Sequence, residues 1–303
     1  MKKVSAILSA DWHIRNDIPE CRTDDFISAQ WNKIKFIFSL AEKYNCSIFV
    51  SGDLGHKSIW PDELKIEFIR QRNLFIAYPL IISIVGQHDI PNHRIAEINK
   101  STYGVLKEDK TITDLSEIEG LYKLNDFSIA PFPYGIEIKV YRKREGQKLI
   151  AMTHQLVIKN TKDWPDQKAQ TGYNLLKKYP CYDLILSGDN HKTFTCEYEG
   201  RILVNPGSIT RQRSDQIDHK TCVFLWYAET NEVEQIFLPI EEGVVSKEHI
   251  EVKEQNSQAM DAYVSRLKQG DEVSLSFEDN LEEFLRTNRV QKRVEEKIWR
   301  AVG

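Results

Sequence analysis

The sequence predicts an α/β fold, two packed sheets between helices, followed by a small C-terminal α/β domain. Three observations carry that expectation. Short apolar runs (Val4 to Leu8, Cys46 to Ser51, Leu80 to Val85) alternate with amphipathic stretches of helical period, the pattern of a largely parallel sheet covered on both faces. Metal-ligating side chains stand at the ends of these runs and of two later ones. The strand-rich stretch that reaches about Ile240 gives way to charged and polar composition from Gly243, which places a domain boundary there. With 303 residues, 41% of them hydrophobic and 28% charged, the chain has material for one large domain and a smaller one.

The first run leads into Asp11-Trp12-His13. Residues two apart on a strand share a side, so Asp11 and His13 can reach one ion together. Asp24 is expected to cap a helix running to Tyr44, with Ile27, Trp31, Ile34, Phe38 and Ala41 as its apolar stripe. The second strand ends at Gly52-Asp53-Leu54-Gly55-His56. Pro61, with acids behind it, opens a helix to about Ala77. The third strand ends at Gly86-Gln87-His88-Asp89. Alternating segments on either side of Asn125-Asp126 predict a hairpin between Thr111 and Pro133. Lys139 to Lys148 is the most basic stretch of the chain. It reads as a solvated hairpin, with phosphate contact as the alternative.

A strand from Lys148 to Met152 delivers His154, a helix covers about Gly172 to Lys178, and a strand from Tyr182 to Ser187 delivers Asp189 and His191. Four more strands follow, near Phe194 to Glu197, Arg201 to Val204, Cys222 to Tyr227 and Val233 to Leu238. Asn205-Pro206-Gly207-Ser208 is a turn between two of them. Reactive groups of a parallel sheet belong beyond the carboxyl ends of its strands, where these five motifs fall.

The net charge of −4 gives no global basic field, so any nucleic-acid surface must be local. No apolar run approaches the roughly 20 residues that span a bilayer, so no membrane partner is expected. The N-terminus leads straight into the first strand and is not expected to be a removable leader, since that would cost Asp11 and His13. Five cysteines, Cys21, Cys46, Cys181, Cys196 and Cys222, are odd in number and lack CxxC spacing, as expected of reduced thiols in a cytoplasmic protein.

Taken singly, His13, His154 and His191 read as hydrogen-bonded structural histidines; with three aspartates at strand ends they read as a metal site. The five motifs and Asn205-Pro206-Gly207-Ser208 resemble the calcineurin-like metallophosphoesterases, over about residues 1–240. Within that superfamily, Gly52-Asp53-Leu54 followed by His56-Lys57-Ser58 is similar to the SbcD-type nuclease, the metal-dependent subunit of the SbcC–SbcD and Mre–Rad DNA-repair complexes. In length the chain is similar to phage versions. The resemblance implies a nuclease domain at 1–242; residues 243–279 read as a small capping domain, and the C-terminal helices at 280–303 either fold back on that cap or, as the resemblance implies, dock on the coiled-coil base of an SbcC-like ATPase.

Carried over residue by residue, the resemblance assigns one ion to Asp11, His13, Asp53 and His191, and a second to Asp53, Gln87, His154 and Asp189. Asp53 bridges, each of its two oxygens serving one ion. Two divalent ions about 3.5–4 Å apart clamp a phosphodiester, activate water and stabilise the leaving oxygen. The resemblance gives His88 phosphate contact and protonation of the leaving group, with Asp89 orienting its ring. Two positions depart from the family pattern: Gln87 stands where relatives have Asn, and Asp189 where they have His. Both fall on the second site and make it oxygen-rich, favouring Mn²⁺, or Mg²⁺, over Zn²⁺.

His56 and Lys57 are expected beside the site or on DNA, and Arg211 and Arg213, just after the turn, on the DNA backbone. His93, His219 and His249 read as surface residues, and Met260, Tyr263 and Phe277 as core of the small domain. At the C-terminus a strand and helix over Glu251 to Lys268 and a strand over Glu272 to Phe277 make the cap. Leu281, Phe284 and Leu285, then Val290, Val294 and Ile298 after a break at Thr287-Asn288, give two amphipathic helices. The expected function is a manganese-dependent DNA nuclease in the cytoplasm (the host's, for a phage protein), acting as a homodimer within the ATPase complex. A phosphatase or phosphodiesterase for a small molecule or protein is the rival. A DNA-end-binding subunit with an impaired second site is the third reading.

Overall fold

The hydrophobic alternation of the strands divides the apolar side chains among three layers. The computed structural model describes residues 2–75, 80–124, 126–160, 169–248, 277–288, 290 and 292–302. Chain order gives β1 (Ala6–Ser9), α1 (Phe26–Tyr44), β2 (Ser47–Ser51), α2 (Asp62–Asn73), β3 (Ile81–Ile84), α3 (Thr102–Glu108), β4 (Thr113–Asp114), β5 (Tyr122–Lys123), β6 (Phe127–Phe132) and β7 (Lys148–His154). There follow the short pair β8 (Val157–Ile158) and β9 (Gln170–Thr171), α4 (Gly172–Lys178), β10 (Leu184–Gly188), β11 (Phe194–Tyr198), β12 (Arg201–Asn205), β13 (Cys222–Tyr227) and β14 (Glu232–Phe237).

One sheet has the order β14-β13-β1-β2-β3-β4, parallel from β1 to β4 with β13 and β14 antiparallel at its edge. The other has the order β11-β12-β10-β7-β6-β5, parallel at its centre with antiparallel edges. Successive strand residues point to opposite faces. Ala6, Leu8, Phe49 and Ile82 of the first sheet therefore meet Ile150, Met152, Leu184 and Leu186 of the second. Ile7, Ile48 and Val50 turn the other way, onto Ile34, Ile37 and Phe38 of α1. On the far side, Leu149, Ala151 and Ile185 pack on Leu175 and Leu176 of α4. The result is an α/β/β/α sandwich, the two-sheet architecture expected from the sequence.

The helices follow their caps. Asp25, not Asp24, caps α1, its Oδ1 accepting from Ser28 N at 3.1 Å. Asp24 is instead ion-paired with Arg22. At the other end Asn45 takes the left-handed conformation (φ 50) and its N–H returns to Ala41 O and Glu42 O. Helix α2 closes at Asn73, short of the expected Ala77, which lies outside the described residues. Helix α3, of seven residues, was not foreseen; Ser101 Oγ caps it by accepting from Gly104 N. The hairpin around residue 126 forms as β5 and β6.

The basic stretch lies at the opposite end of the sheet from the predicted ligands. Lys143 pairs with Asp183 at 2.7 Å, just before β10, and Lys148 starts β7. These are the amino ends of two parallel strands whose carboxyl ends carry Asp189 and His154. Seven residues of extended chain separate the two ends by roughly 20 Å. Lys139 to Lys148 therefore stand about one strand length from Asp189 and His154.

The chain divides into two compact units, Met1–Ser246 and Lys247–Gly303. In the second, α5 (Phe277–Thr287) and α6 (Lys292–Val302) are helical, and Phe277, expected at the end of a strand, opens α5. The expected strand and helix over 251–268, the strand over 272–276, and His249, Met260 and Tyr263 lie outside the described residues. Among the described residues no helix is long and apolar enough to cross a membrane.

Candidate metal centre

The loops that leave β1 and β2 run side by side. Asp11 N donates to Gly52 O at 3.1 Å, His13 N to Asp53 O at 3.0 Å, and Ile14 N to Leu54 O at 3.0 Å. Asp11 (φ 50), His13 (φ 45), Asp53 (φ 52) and Asp189 (φ 75) all adopt the left-handed backbone that non-glycine residues seldom take. Such conformations persist where the surroundings over-determine them, chiefly at functional sites. Strand β1 has already ended at Ser9. Asp11 and His13 are thus brought together by these turns, not by the strand pleat that the sequence suggested.

A first cluster gathers Asp11, His13 and His191, whose ligand atoms lie within 4.8 Å of one another. His13 Nε2 and His191 Nε2 face each other at 3.0 Å, and Asp53 Oδ2 is 3.7 Å from His13 Nε2. Burial pushes both imidazoles below their ordinary value, which keeps lone pairs on the rings. Asp11 is fully buried. Its Oδ1 accepts from Asp189 N at 3.0 Å, and its Oδ2 has no hydrogen-bond partner. Burial, reinforced by Asp53 and Asp189, pushes its carboxyl well above the usual range, against the pull of His154.

The second cluster is built around His154. A carbonyl can only accept, so its Nδ1–H donates to Ser51 O at 2.7 Å. The opposite nitrogen, Nε2, stands 2.8 Å from Gln87 Oε1 and 3.3 Å from Asp53 Oδ2. Burial opposes a charge on this ring, but Asp53, Asp11 and Asp189 outweigh it and raise the ring to about 10. A cation, here the proton, is held where lone pairs of Asp53, Gln87 and His154 converge. Glycines make the space: a Cβ at Gly52 would lie 2.1 Å from His154 Nδ1, and one at Gly86 would lie 2.1 Å from Asp53 Oδ1.

Asp53 joins the clusters. Its Oδ1 accepts from His88 N at 2.9 Å, while Oδ2 is buried without a hydrogen-bond partner between His13 and His154. Burial alone would raise this carboxyl; the charge of His154, then that of His13, holds it low and ionised. One oxygen therefore meets both clusters, while the other accepts from a backbone N–H. Buried carboxylate oxygens without donors are costly unless a cation compensates them. Asp11 Oδ2 and Asp53 Oδ2, with imidazole and amide lone pairs around them, fit divalent ions with a preference for nitrogen and oxygen ligands.

His88 belongs to the same constellation, grouped with His13 and Asp53. Its Nδ1–H donates to His56 O at 3.0 Å, and its ring stacks on that of His56 with centroids 5.9 Å apart. His56 is thus part of the site; burial, then Arg15 and His88, push it down to about 4. Asp89 does not orient His88, a correction to the sequence reading. Its Oδ1 accepts from Gly55 N and its Oδ2 from Gly86 N, each at 2.9 Å, so it staples the β2 and β3 loops together. Burial and Asp53 raise it to about 7 against those two donors.

A groove of about 620 Å³ opens over the clusters, lined by Gln87, His88, Asp189, His191, Lys192 and Arg213 among others. Arg213 is exposed there, beside Asp215 at 3.3 Å. Arg211 is not on the groove: it is 5% exposed and donates to Ile217 O and Glu241 O, so its expected DNA contact is corrected. Lys57 is exposed and lines a shallow depression with His56 and Trp60.

Several supporting residues escaped the sequence reading. Gln212 Nε2 donates to His13 O at 3.1 Å, and nothing in its surroundings announces that. His93, exposed as expected, and the half-buried His219 donate to Gln87 O and Ser208 O, each at 3.1 Å. Asn205 was visible only as part of a turn. Its Nδ2 donates to Asn190 O and Lys192 O, holding the loop that carries His191. Gly207 (φ 74) lets the turn approach, since a Cβ there would meet His191 O at 2.6 Å.

No protein-family model matches the chain, and no curated protein matches it. Among solved structures it is similar to an archaeal phosphodiesterase, with 14% identity over 77% of this chain and 99% of that one and a TM-score of 0.41. It is similar to a phosphopantetheinyl hydrolase from Mycobacterium tuberculosis, with 11% identity over 78% and 97% of the two chains and a TM-score of 0.43. It is also similar to a dimetal phosphatase from Danio rerio, with 10% identity over 79% and 100% and a TM-score of 0.44.

Proposed function

We propose that the chain is a two-metal phosphodiesterase, and that its substrate is DNA. One observation carries the first part: Asp53 Oδ2, buried and without a donor, lies between two converging sets of lone pairs. Asp11, His13, His191 and Asp53 would hold one divalent ion; Asp53, His154 and Gln87 would hold the other, with Asp189 beside it. Such ions, Mn²⁺ first by ligand chemistry, supply charge for the phosphate and the acidity that activates water.

The chain's own residues do the rest. Ser51 O fixes the His154 tautomer so that Nε2 points inward. His56 O fixes His88 in the same way, leaving its other nitrogen to give a proton to the leaving oxygen from the groove wall. Lys192 and Arg213 line the groove together with Asp189 and Asp215, and would reach phosphates flanking the one that is cut.

DNA as substrate rests on the groove over the clusters and on the resemblance of Gly52 to Ser58 to SbcD-type nucleases. In that reading the protein works as a dimer with a coiled-coil ATPase of the SbcC kind. Helices α5 and α6, which leave Phe284 50% and Val294 45% exposed, offer it apolar anchors. The test compares hydrolysis of bis(p-nitrophenyl) phosphate and of linear and hairpin DNA with Mn²⁺, Mg²⁺ and a chelator. Metal-dependent cleavage of both is the expected result. Cleavage of the small diester with intact DNA would leave the catalytic reading standing and overturn the substrate.

A further inference from the structure

We infer that Asp189 is a positioning residue for both metal sites rather than a ligand, and that it forms a single working unit with Gln87. This rests on the two-metal reading above. Asp189 Oδ1 accepts from Gln87 Nε2 at 2.7 Å. The two ends of an amide are fixed relative to each other. Anchoring Nε2 therefore aims Oε1 the other way, where it stands 2.8 Å from His154 Nε2 in the second cluster. The backbone N–H of Asp189 donates to Asp11 Oδ1 at 3.0 Å, leaving Oδ2 of Asp11 as the buried, unpartnered oxygen of the first cluster. One residue thus orients a ligand of each site, its side chain serving one and its backbone the other.

The alternative, direct coordination by Asp189, competes with this geometry. Among the described residues, three groups of Asp and His ligand atoms converge within 4.8 Å, and Asp189 is in none of them. Were its Oδ1 turned to an ion, Gln87 Nε2 would lose its acceptor and Oε1 its aim. The two departures from the family pattern, a longer amide at Gln87 and a carboxylate at Asp189, are bonded to each other. An Asn at position 87 would carry the same amide one methylene closer to the backbone, drawn back from both His154 and Asp189, so each departure supports the other.

The test is Mn²⁺ titration by calorimetry, with Mn²⁺ electron paramagnetic resonance for coupling between ions, on full-length protein. The variants are Asp189→Asn, Asp189→Gly, Gln87→Ala and the double variant Gln87→Ala with Asp189→Gly; melting midpoints check folding. Asn and Gly both accept the backbone at φ 75, so neither is strained there. Asp189→Asn keeps an acceptor for Gln87 Nε2 and should retain two coupled ions with affinities within about threefold of wild type, well inside the effect of losing such a partner. Asp189→Gly should weaken the second ion by about 10–100-fold and spare the first, whose support is the retained backbone N–H. The double variant should bind the second ion no worse than Gln87→Ala alone. If Asp189→Asn loses the second ion as fully as Asp189→Gly, or if the two losses add in the double variant, Asp189 is a ligand and the inference is wrong. A glycine variant with undiminished affinity would also overturn it. Wild type taking up one ion would remove the proposed second site itself, a failure that no variant is needed to see.

Discussion

A methyl group added at Gly52 should disable the second metal site without replacing any ligand. Alanine's Cβ would lie 2.1, 2.5 and 2.9 Å from Nδ1, Cγ and Cε1 of His154. Ordinary contact needs about 3.5 Å, so the ring must retreat by more than ~1 Å. It has no free side to move to, because Gly188 already approaches so closely that its own Cβ would sit 2.7 Å from Nδ1. Displacement breaks the 2.7 Å bond to Ser51 O and strands a buried carbonyl, a cost of about 1–3 kcal/mol. The left-handed backbone at Gly52 (φ 84) adds about 1–2 kcal/mol for any residue with a Cβ. Gly52→Ala should therefore lose roughly 2–5 kcal/mol of stability, the sum of these two terms. The control is Gly135→Ala, at φ 81 with nothing within 4 Å of its Cβ, which carries the backbone term alone. Denaturant unfolding of both variants, with Mn²⁺ titration and diester hydrolysis, isolates the ring. Gly52→Ala should lose the second ion and at least about 10²-fold in rate, a general scale for disrupting a metal ligand's support. A Gly52→Ala protein as mild as Gly135→Ala in all three assays would refute the packing of His154 described here.

Other consequences are separable. His88→Ala should keep both ions and DNA affinity while losing about 10²–10⁴-fold in rate; loss of an ion would make His88 a ligand. Lys33 tests a different part of the fold. Its buried Nζ donates to Ile209 O and Thr221 Oγ1, and burial, then Arg22 and Arg211, push it down to about 7. The unfolded chain holds that proton up to the ordinary lysine range near 10.4, so between the two values it binds more protons than the native state and stability rises with pH. His154, raised to about 10 in the folded chain, contributes the opposite slope in ion-free protein, losing stability as pH climbs towards that value. The difference in unfolding free energy between wild type and Lys33→Met cancels the shared slope. It should move in favour of wild type from pH 7 to pH 10, and a flat difference would show that Lys33 is not held neutral.

The sheets and both long N-terminal helices were legible because their signals are local: period two or 3.6, caps, and apolar runs of strand length. Helix α3, as short as the foreseen α4, was not legible. The ligand types were legible as Asp and His at strand ends, but their supports were not. Asp89 carries the same residue type whether it orients His88 or staples two glycine N–H groups, and only the packed loops decide. Arg211 and Arg213 look alike in sequence, yet one is buried on carbonyls and the other lines the groove. The bridge at Asp53 is of the same kind. A sequence says that a carboxylate is present, whereas the commitment of Oδ1 to His88 N depends on where β3 delivers its loop.

The claim on which everything else depends is that the buried Asp and His clusters share Asp53 Oδ2 between two divalent ions. Equilibrium dialysis of metal-free wild type and Asp53→Ala against Mn²⁺, with ions counted per folded chain, measures it directly. Two ions for wild type, and neither held tightly by a folded Asp53→Ala, is the expected result. A wild type that binds one ion, or an Asp53→Ala protein that still binds two, would contradict the shared carboxylate.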